Sequence, residues 1–223
     1  MPRVAPTIEG VSDLAVFDRH LRHWVTAACE DWLYRPPPIE WYEAMQARLP
    51  PGLRATLRAA LDAGVISTAG GHRFTVAGIP AGKGPYAWFS RNARGALAPN
   101  WEYFVQAAEY ASVRSAHPDC EIGFEDRLTD VSVSRHGELL WYIEVKERVE
   151  GLVSLGARIQ RHGTDGVDMD SDDRGNDPLR KAKGLAQLRP PYFSLVGIGG
   201  RLDHSVTYHD QTHFDLIPDL VAI

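Results

Sequence analysis

The chain is poor in cysteine, has no long apolar run and carries no excess of positive charge. Its two cysteines, Cys29 and Cys120, lie far apart and outside any C-x-x-C pattern. That spacing argues against a disulfide framework or a thiolate zinc site, and is expected of buried free thiols in a reducing, cytoplasmic compartment. No apolar stretch approaches the roughly 20 residues of a membrane-spanning helix. Residues 1–6 lack the apolar core of a secretory signal, so neither membrane association nor export is expected. A formal net charge of −5 argues against a protein that coats nucleic acid through bulk electrostatics, although local basic faces can operate on an acidic chain. Two familiar binding loops are also missing. Gly82-Lys83-Gly84 has neither the spacing nor the Ser/Thr of a Walker phosphate loop. Asp168-x-Asp170-x-Asp172 begins like an EF-hand, but Asp173 and Leu179 stand where that loop needs Gly and Glu.

What is present fits a folded protein: 223 residues, 44% hydrophobic and 24% charged, enough for one large or two small domains with a sizeable core. The most informative stretch is Leu128–Arg148. Val131 and Val133 alternate with Ser132 and Ser134, and Trp141, Ile143 and Val145 alternate with Tyr142, Glu144 and Lys146. Period-two alternation predicts two half-buried strands, and His136-Gly137 predicts the reversal between them. If the apolar faces pack together, Val131 lies near Ile143 and Val133 near Trp141, which sets Asp130 opposite Glu144. A plain two-residue turn would pair Asp130 with Ile143, so this register needs an odd-numbered loop or a bulge at residues 135–138. Two carboxylates and the Lys146 amine then converge at one end of a hairpin, at a cleft rather than in the core. Paired carboxylates repel unless a cation lies between them, and Mg²⁺ prefers such oxygen ligands while keeping several waters. A neighbouring lysine can orient a water or stabilise developing anionic charge.

Asp130, a hairpin, then Glu144-Val145-Lys146 resembles the PD-(D/E)XK nuclease superfamily, with Thr129 where the motif name has proline. The resemblance covers about residues 100–200. It implies a restriction-endonuclease-like core and Mg²⁺-dependent hydrolysis of phosphodiester bonds in DNA, with Mn²⁺ as a substitute. Asp130, Glu144 and the Val145 carbonyl would bind the metal, and Lys146 would assist the attacking water. In that superfamily the helix before the core strands often donates a glutamate. Glu102 is the first candidate here and Glu109 the second. The helix after the E-x-K strand commonly turns a basic or amide side chain toward the site, and Lys183, Gln187 and Arg180 fit that placement.

Elsewhere the pattern is mostly helical at first. Ser12 is a plausible N-cap for a helix at 14–32, with Leu14, Phe17, Leu21, Trp24, Val25 and Ala28 at core spacing. Pro36-Pro37-Pro38 ends it, and helices are expected at 40–48 and 52–63. Together with the following Gly64–Val76, where Gly70-Gly71 lies between two short apolar runs, these helices resemble a winged-helix module over about residues 40–80. As a DNA reader that module would place Arg54 and Arg58 on phosphates or base edges. Residues 79–99, rich in Gly, Pro and Ala, read as a linker or surface loop.

Asn100 caps a helix at 101–114, whose polar stripe is Glu102, Gln106 and Glu109. Strands are expected at 121–128, 192–198 and 201–209. The aspartate-rich stretch 163–177 reads as a mobile acidic loop. Asp177-Pro178 then opens a helix to about Leu188, with Asp177 as N-cap. His209, Asp210, His213 and Asp215 read as turn residues.

The expected architecture is α/β: a mixed central sheet flanked by helices at 100–223, preceded by a mainly helical, winged-helix-like domain at 1–85 and a linker at 86–99. The expected activity is that of a Mg²⁺-dependent endonuclease with DNA as partner, alone, as a homodimer or within a larger complex. The competing expectation is a non-catalytic DNA-binding or assembly protein that works through its N-terminal region.

Overall fold

The computed structural model describes residues 11–218 except 81 and 127, and the backbone alone for 11–14. The chain divides into two units, Met1–Ala111 and Ser112–Ile223.

In the first unit, helix α1 spans Val11–Asp31, α2 Ile39–Arg48 and α3 Pro51–Asp62. Ser12 and Leu14, read as cap and core positions, have side chains outside the described residues. From Phe17 onward the predicted stripe of α1 is buried: Phe17, Leu21, Trp24, Val25 and Ala28 are all at 1% exposure or less. The helix closes with paired bonds from Tyr34 N–H to Cys29 O (2.8 Å) and from Leu33 N–H to Glu30 O (3.3 Å). This is the double bond of a Schellman cap, with leucine in the left-handed position (φ 56°) that usually takes glycine. A three-stranded antiparallel sheet follows, β1 Ile66–Thr68, β2 Arg73–Val76 and β3 Tyr86–Ala87. A ribbon of β4 Phe89–Arg91 and β5 Leu97–Pro99 leads into α4, Trp101–Ala116.

Residues 86–99 are therefore folded and not a linker. Trp88 and Phe89 explain why, being 0% and 1% exposed. Trp88 stacks on Trp24 (4.9 Å between ring centroids), Phe74 (3.8 Å) and Phe104 (4.7 Å), and this aromatic pile is the centre of the unit. The division between units falls inside α4, not at the Gly/Pro-rich stretch.

The second unit holds β6 Glu121–Asp126, β7 Thr129–Arg135, β8 Glu138–Arg148, a 3-10 turn at Val149–Gly151, α5 Leu152–Thr164, α6 Asp177–Leu188, β9 Tyr192–Ile198, β10 Gly200–Tyr208 and β11 Phe214–Pro218. These strands make one six-stranded mixed sheet in the order β11-β10-β9-β8-β7-β6. The pair β8–β9 is parallel and the rest are antiparallel. A parallel pair needs a long crossover, supplied by α5 and α6. The sequence pattern assigns no element at 152–162, where most of α5 stands, and takes Asp215, in β11, as a turn residue. Leu152, Leu155 and Ile159 carry α5's buried face, joined in one core with Leu179 and Leu185 of α6 and Tyr142, Phe193 and Leu195 of the sheet. No helix among the described residues is long and apolar enough to cross a membrane.

The β7–β8 register pairs Val131 with Ile143 and Val133 with Trp141, as the alternation predicts. The irregularity lies elsewhere than expected. His136 (φ 54°) and Gly137 (φ 81°) form a two-residue turn with both central residues left-handed, the arrangement that matches strand twist. Arg135 still pairs with Glu138 and Ser134 with Leu139; the pairing then shifts to Val133–Trp141, leaving Leu140 as an extra residue in β8. This bulge, one step in from the turn, moves Asp130 from Ile143 to Glu144.

Candidate acid–lysine site

The face of β7 and β8 that carries Ser132, Ser134, Tyr142 and Glu144 is not open. These four residues are between 0% and 7% exposed, and the apolar face with Val131, Val133, Ile143 and Val145 is equally buried. The strands are thus buried on both sides rather than on one. On the polar side α6 packs so closely that a Cβ at Gly184 would come within 3.3 Å of the Tyr142 ring. Tyr142 O–H donates to Leu128 O (2.9 Å), pinning the strand entry beside Asp130.

Glu144 is 0% exposed. Its Oε1 lies 2.6 Å from Lys146 Nζ and its Oε2 2.6 Å from Lys181 Nζ, the latter amine being almost wholly buried. Each carboxylate oxygen of Glu144 thus faces one ammonium group at close ion-pair distance. Lys146 also reaches Asp177 Oδ2 (3.3 Å), whose other oxygen accepts from Arg180 (2.6 Å). Asp130 Oδ2 accepts from Val145 N–H (2.6 Å). Burial pushes the Glu144 carboxyl up to about 7, helped by the Asp130 charge and opposed by Lys181 and Lys146. Burial also raises Asp130, against the pull of Lys181, the Val145 amide and Lys146. Asp177 is held below its ordinary range in spite of partial burial, by Lys146, Lys181 and Arg180. The cluster meets solvent at Lys146 (27% exposed) and Asp177 (34%).

Two expectations are corrected here. The cleft position fails for Glu144, which is core. Asp177 is not the cap of α6: Asn176 is, its Oδ1 accepting from Leu179 N–H at 3.3 Å, and this frees the Asp177 carboxylate for Lys146.

The basic side chains of α6 divide unexpectedly. Arg180 is spent on Asp177, and Gln187 is exposed. Lys183 donates to Ser171 O and lies 3.8 Å from Asp173 Oδ2, tying the acidic loop to the helix. The amine that reaches Glu144 is Lys181, which the sequence reading passed over. Its signal was helical spacing: Lys181 is four residues after Asp177 and four before Leu185, on the buried face.

The remaining candidates lie in the first unit. Glu102, the first candidate for the helix glutamate, is exposed on α4, whereas Gln106 (2%) and Glu109 (8%), the second candidate, are buried. Arg54 pairs with Asp18 (3.2 Å) and Arg58 with Asp62 (2.6 Å), so both are engaged within the helical layer.

Among the described residues, no group of three or more His, Cys, Asp or Glu side chains is arranged to hold a metal ion. Two carboxylates remain, and Mg²⁺ is commonly held by one or two, with waters completing its shell. Asp130 and Glu144 are two such oxygen donors on adjacent strands, and the two ammonium groups at Glu144 show that its buried carboxylate already draws positive charge, so the pair fits the donor chemistry. The arrangement defines a class, a mixed α/β unit with a buried acid–lysine cluster at the joint of its central strands. Comparison with protein-family models, curated proteins and solved structures finds no match to this chain.

Proposed function

We propose that the second unit is a Mg²⁺-dependent nuclease that hydrolyses phosphodiester bonds in DNA, on a core resembling the restriction-endonuclease-like fold. The observation that carries this reading is the approach of Asp130 and Glu144 on one side of adjacent strands, with Lys146 2.6 Å from Glu144 and partly open to solvent. Asp130, Glu144 and the Val145 carbonyl would hold the metal. Bound Mg²⁺ supplies charge for the phosphate and acidifies a coordinated water. Lys146, between Glu144 and Asp177, would orient the attacking water or meet developing negative charge. Lys181 fixes Glu144 from beneath. Gln187 lies exposed on α6, where a phosphate strand could reach it, while Arg180 holds Asp177.

The test is single-turnover cleavage of plasmid and single-stranded DNA with Mg²⁺, Mn²⁺ or EDTA, beside a binding titration at the same salt concentration. Wild-type protein cleaves only with the divalent ions. Lys146→Ala lowers the rate by roughly 10²–10³-fold, the usual loss for a transition-state donor, and leaves affinity nearly unchanged. Absence of metal-dependent cleavage on every substrate removes the reading.

One observation favours a second reading. Glu144 is fully buried and already carries two ammonium groups, an arrangement complete without a ligand. On that reading the cluster is structural and the protein a non-catalytic DNA-binding or assembly module. The two readings separate by heating: a bound cation stabilises the folded state by mass action, so Mg²⁺ raises the melting temperature of the nuclease and leaves the structural network unmoved.

A further inference from the structure

The first unit holds an open cavity of about 420 Å³, within the size range of small-molecule sites. It is lined by the half-buried Tyr34, Trp41 and Leu97, by the exposed Arg35 and Arg94, which by exposure form its rim, and by the buried Cys29, which forms its floor. The floor is neutral, since burial, with the Glu30 charge adding to it, raises the thiol above its ordinary range.

The aromatic walls are braced from behind. Trp41 meets Tyr42 edge-on (5.7 Å) and Phe89 (6.5 Å). The Arg91 guanidinium sits over Tyr34 (5.3 Å) and Trp32 (5.7 Å). The Schellman cap of α1 fixes where Tyr34 leaves the helix. On the opposite lip Asn92 holds the β4–β5 tip: its Oδ1 accepts from Arg94 N–H (2.9 Å) and Ala96 N–H (3.0 Å).

The two rim arginines differ from Arg54, Arg58, Arg174, Arg180 and Arg201, each of which has an acidic partner. Among the described residues neither the Arg35 nor the Arg94 guanidinium has one, and both are exposed. Aromatic walls, a neutral floor and two unspent cations at the mouth ask for a ligand that is flat and apolar at one end and anionic at the other. An unpaired nucleotide has that form. Base–aromatic stacking beside a basic rim is the usual means of holding single strands, and a base within a duplex cannot enter such a cavity.

We propose that this cavity binds one unpaired nucleotide of a single-stranded nucleic acid, with the base against Trp41 and the phosphate at Arg35 and Arg94. The proposal does not depend on the acid–lysine site.

The experiment uses the full chain in EDTA, so that cleavage plays no part and loss of nuclease activity cannot imitate loss of binding. Fluorescence anisotropy is measured with a labelled single-stranded 12-mer, the same sequence as a duplex, and an acidic peptide of equal charge. The single strand binds tightest and quenches tryptophan emission. Trp41→Ala weakens it about tenfold or more, within the range for losing one stacked base, while Trp41→Phe retains most of the affinity. Arg94→Glu, on an exposed turn and so harmless to folding, weakens binding and lowers the salt slope by about one. Equal binding of duplex or peptide, or a single-strand affinity unchanged in both Trp41→Ala and Arg94→Glu, overturns the proposal.

Discussion

At the centre of the first unit Trp88 lies among Trp24, Phe74 and Phe104; at the centre of the second, beside Tyr142 and Phe193, stands Glu144 between two ammonium groups. The aromatic pile gains stability from area and ring geometry, terms indifferent to pH and to cations. The ionic cluster stands on different ground. Desolvating two or three charges costs about as much as their attraction returns, and well-packed apolar side chains would commonly do as well. Functional sites concentrate buried carboxylates raised in this way, and structural ion-pair networks produce them too. The first unit's core is thus held by packing, the second's by packing around a balance of charges.

The sharpest way to break that contrast is to delete each centre. Trp88→Ala should cost about 3–5 kcal/mol through loss of packing. Glu144→Ala should cost a similar amount, about 3–5 kcal/mol, because it strands Lys181 as a buried charge. It is therefore no neutral test of catalysis, contrary to the expectation from sequence. The two losses differ in their remedy: adding Lys181→Met to Glu144→Ala should recover most of the stability, and no single change repairs Trp88→Ala. Segment-resolved hydrogen exchange reads each unit separately. A Glu144→Ala cost below about 1 kcal/mol would show that the cluster is not charged in the folded protein.

Next in size is the response to pH, where the two units should move in opposite directions. Glu144 has its folded value raised from 4.5 to about 7. Its contribution to stability is whole below 4.5 and is lost as pH rises toward 7, by up to about 3 kcal/mol. His72 in the first unit is lowered from 6.5 by burial, against the pull of Asp31 at 3.2 Å. Its contribution is present above 6.5 and fades as pH falls below that. The check is the difference in stability between wild type and Glu144→Gln, and between wild type and His72→Phe, each followed from pH 4.5 to 8. Curves of the same sign for both pairs would erase the contrast. Mg²⁺ should flatten the Glu144 curve if a cation binds there, since it favours the ionised form.

How much of this was legible in the sequence follows the same divide. The β7–β8 register could be read because period-two alternation leaves one pairing that buries both apolar faces. The site of the bulge could not, because the turn's own preference for two left-handed residues pushed the irregularity inward to Leu140. Lys181 was missed because a lysine in a helix reads as solvent-facing, although its spacing from Leu185 put it on the buried side. The burial of Gln106 and Glu109 was not legible for the same reason: tertiary burial overrides the polarity of a stripe. Residues 86–99 looked like a linker through glycine and proline content, while Trp88 and Phe89, two large rings in succession, carried the contrary signal. α5 was lost between the hairpin and the acidic loop, despite Leu152, Leu155 and Ile159 at helical spacing.

The smallest predicted effect compares a shared oddity. Each unit ends a helix on a non-glycine residue in the left-handed region, Leu33 after α1 (φ 56°) and Arg189 after α6 (φ 48°). A leucine there is strained, and its side chain is 93% exposed, so nothing offsets the strain. Arg189 is strained too, but its guanidinium lies 4.5 Å from the Tyr208 ring centroid and donates to Asp210 O. Such a cation–π contact at an exposed site contributes about 0.5–1 kcal/mol. Leu33→Gly should therefore stabilise the first unit, by less than about 1 kcal/mol once the extra freedom of glycine in the unfolded chain is subtracted. Arg189→Gly should leave the second unit unchanged or weaker, because relief of strain and loss of contacts cancel. Urea midpoints of the two variants decide it. A gain at Arg189 equal to that at Leu33 would mean that the arginine's contacts contribute nothing to holding α6, and with it Lys181, over the sheet.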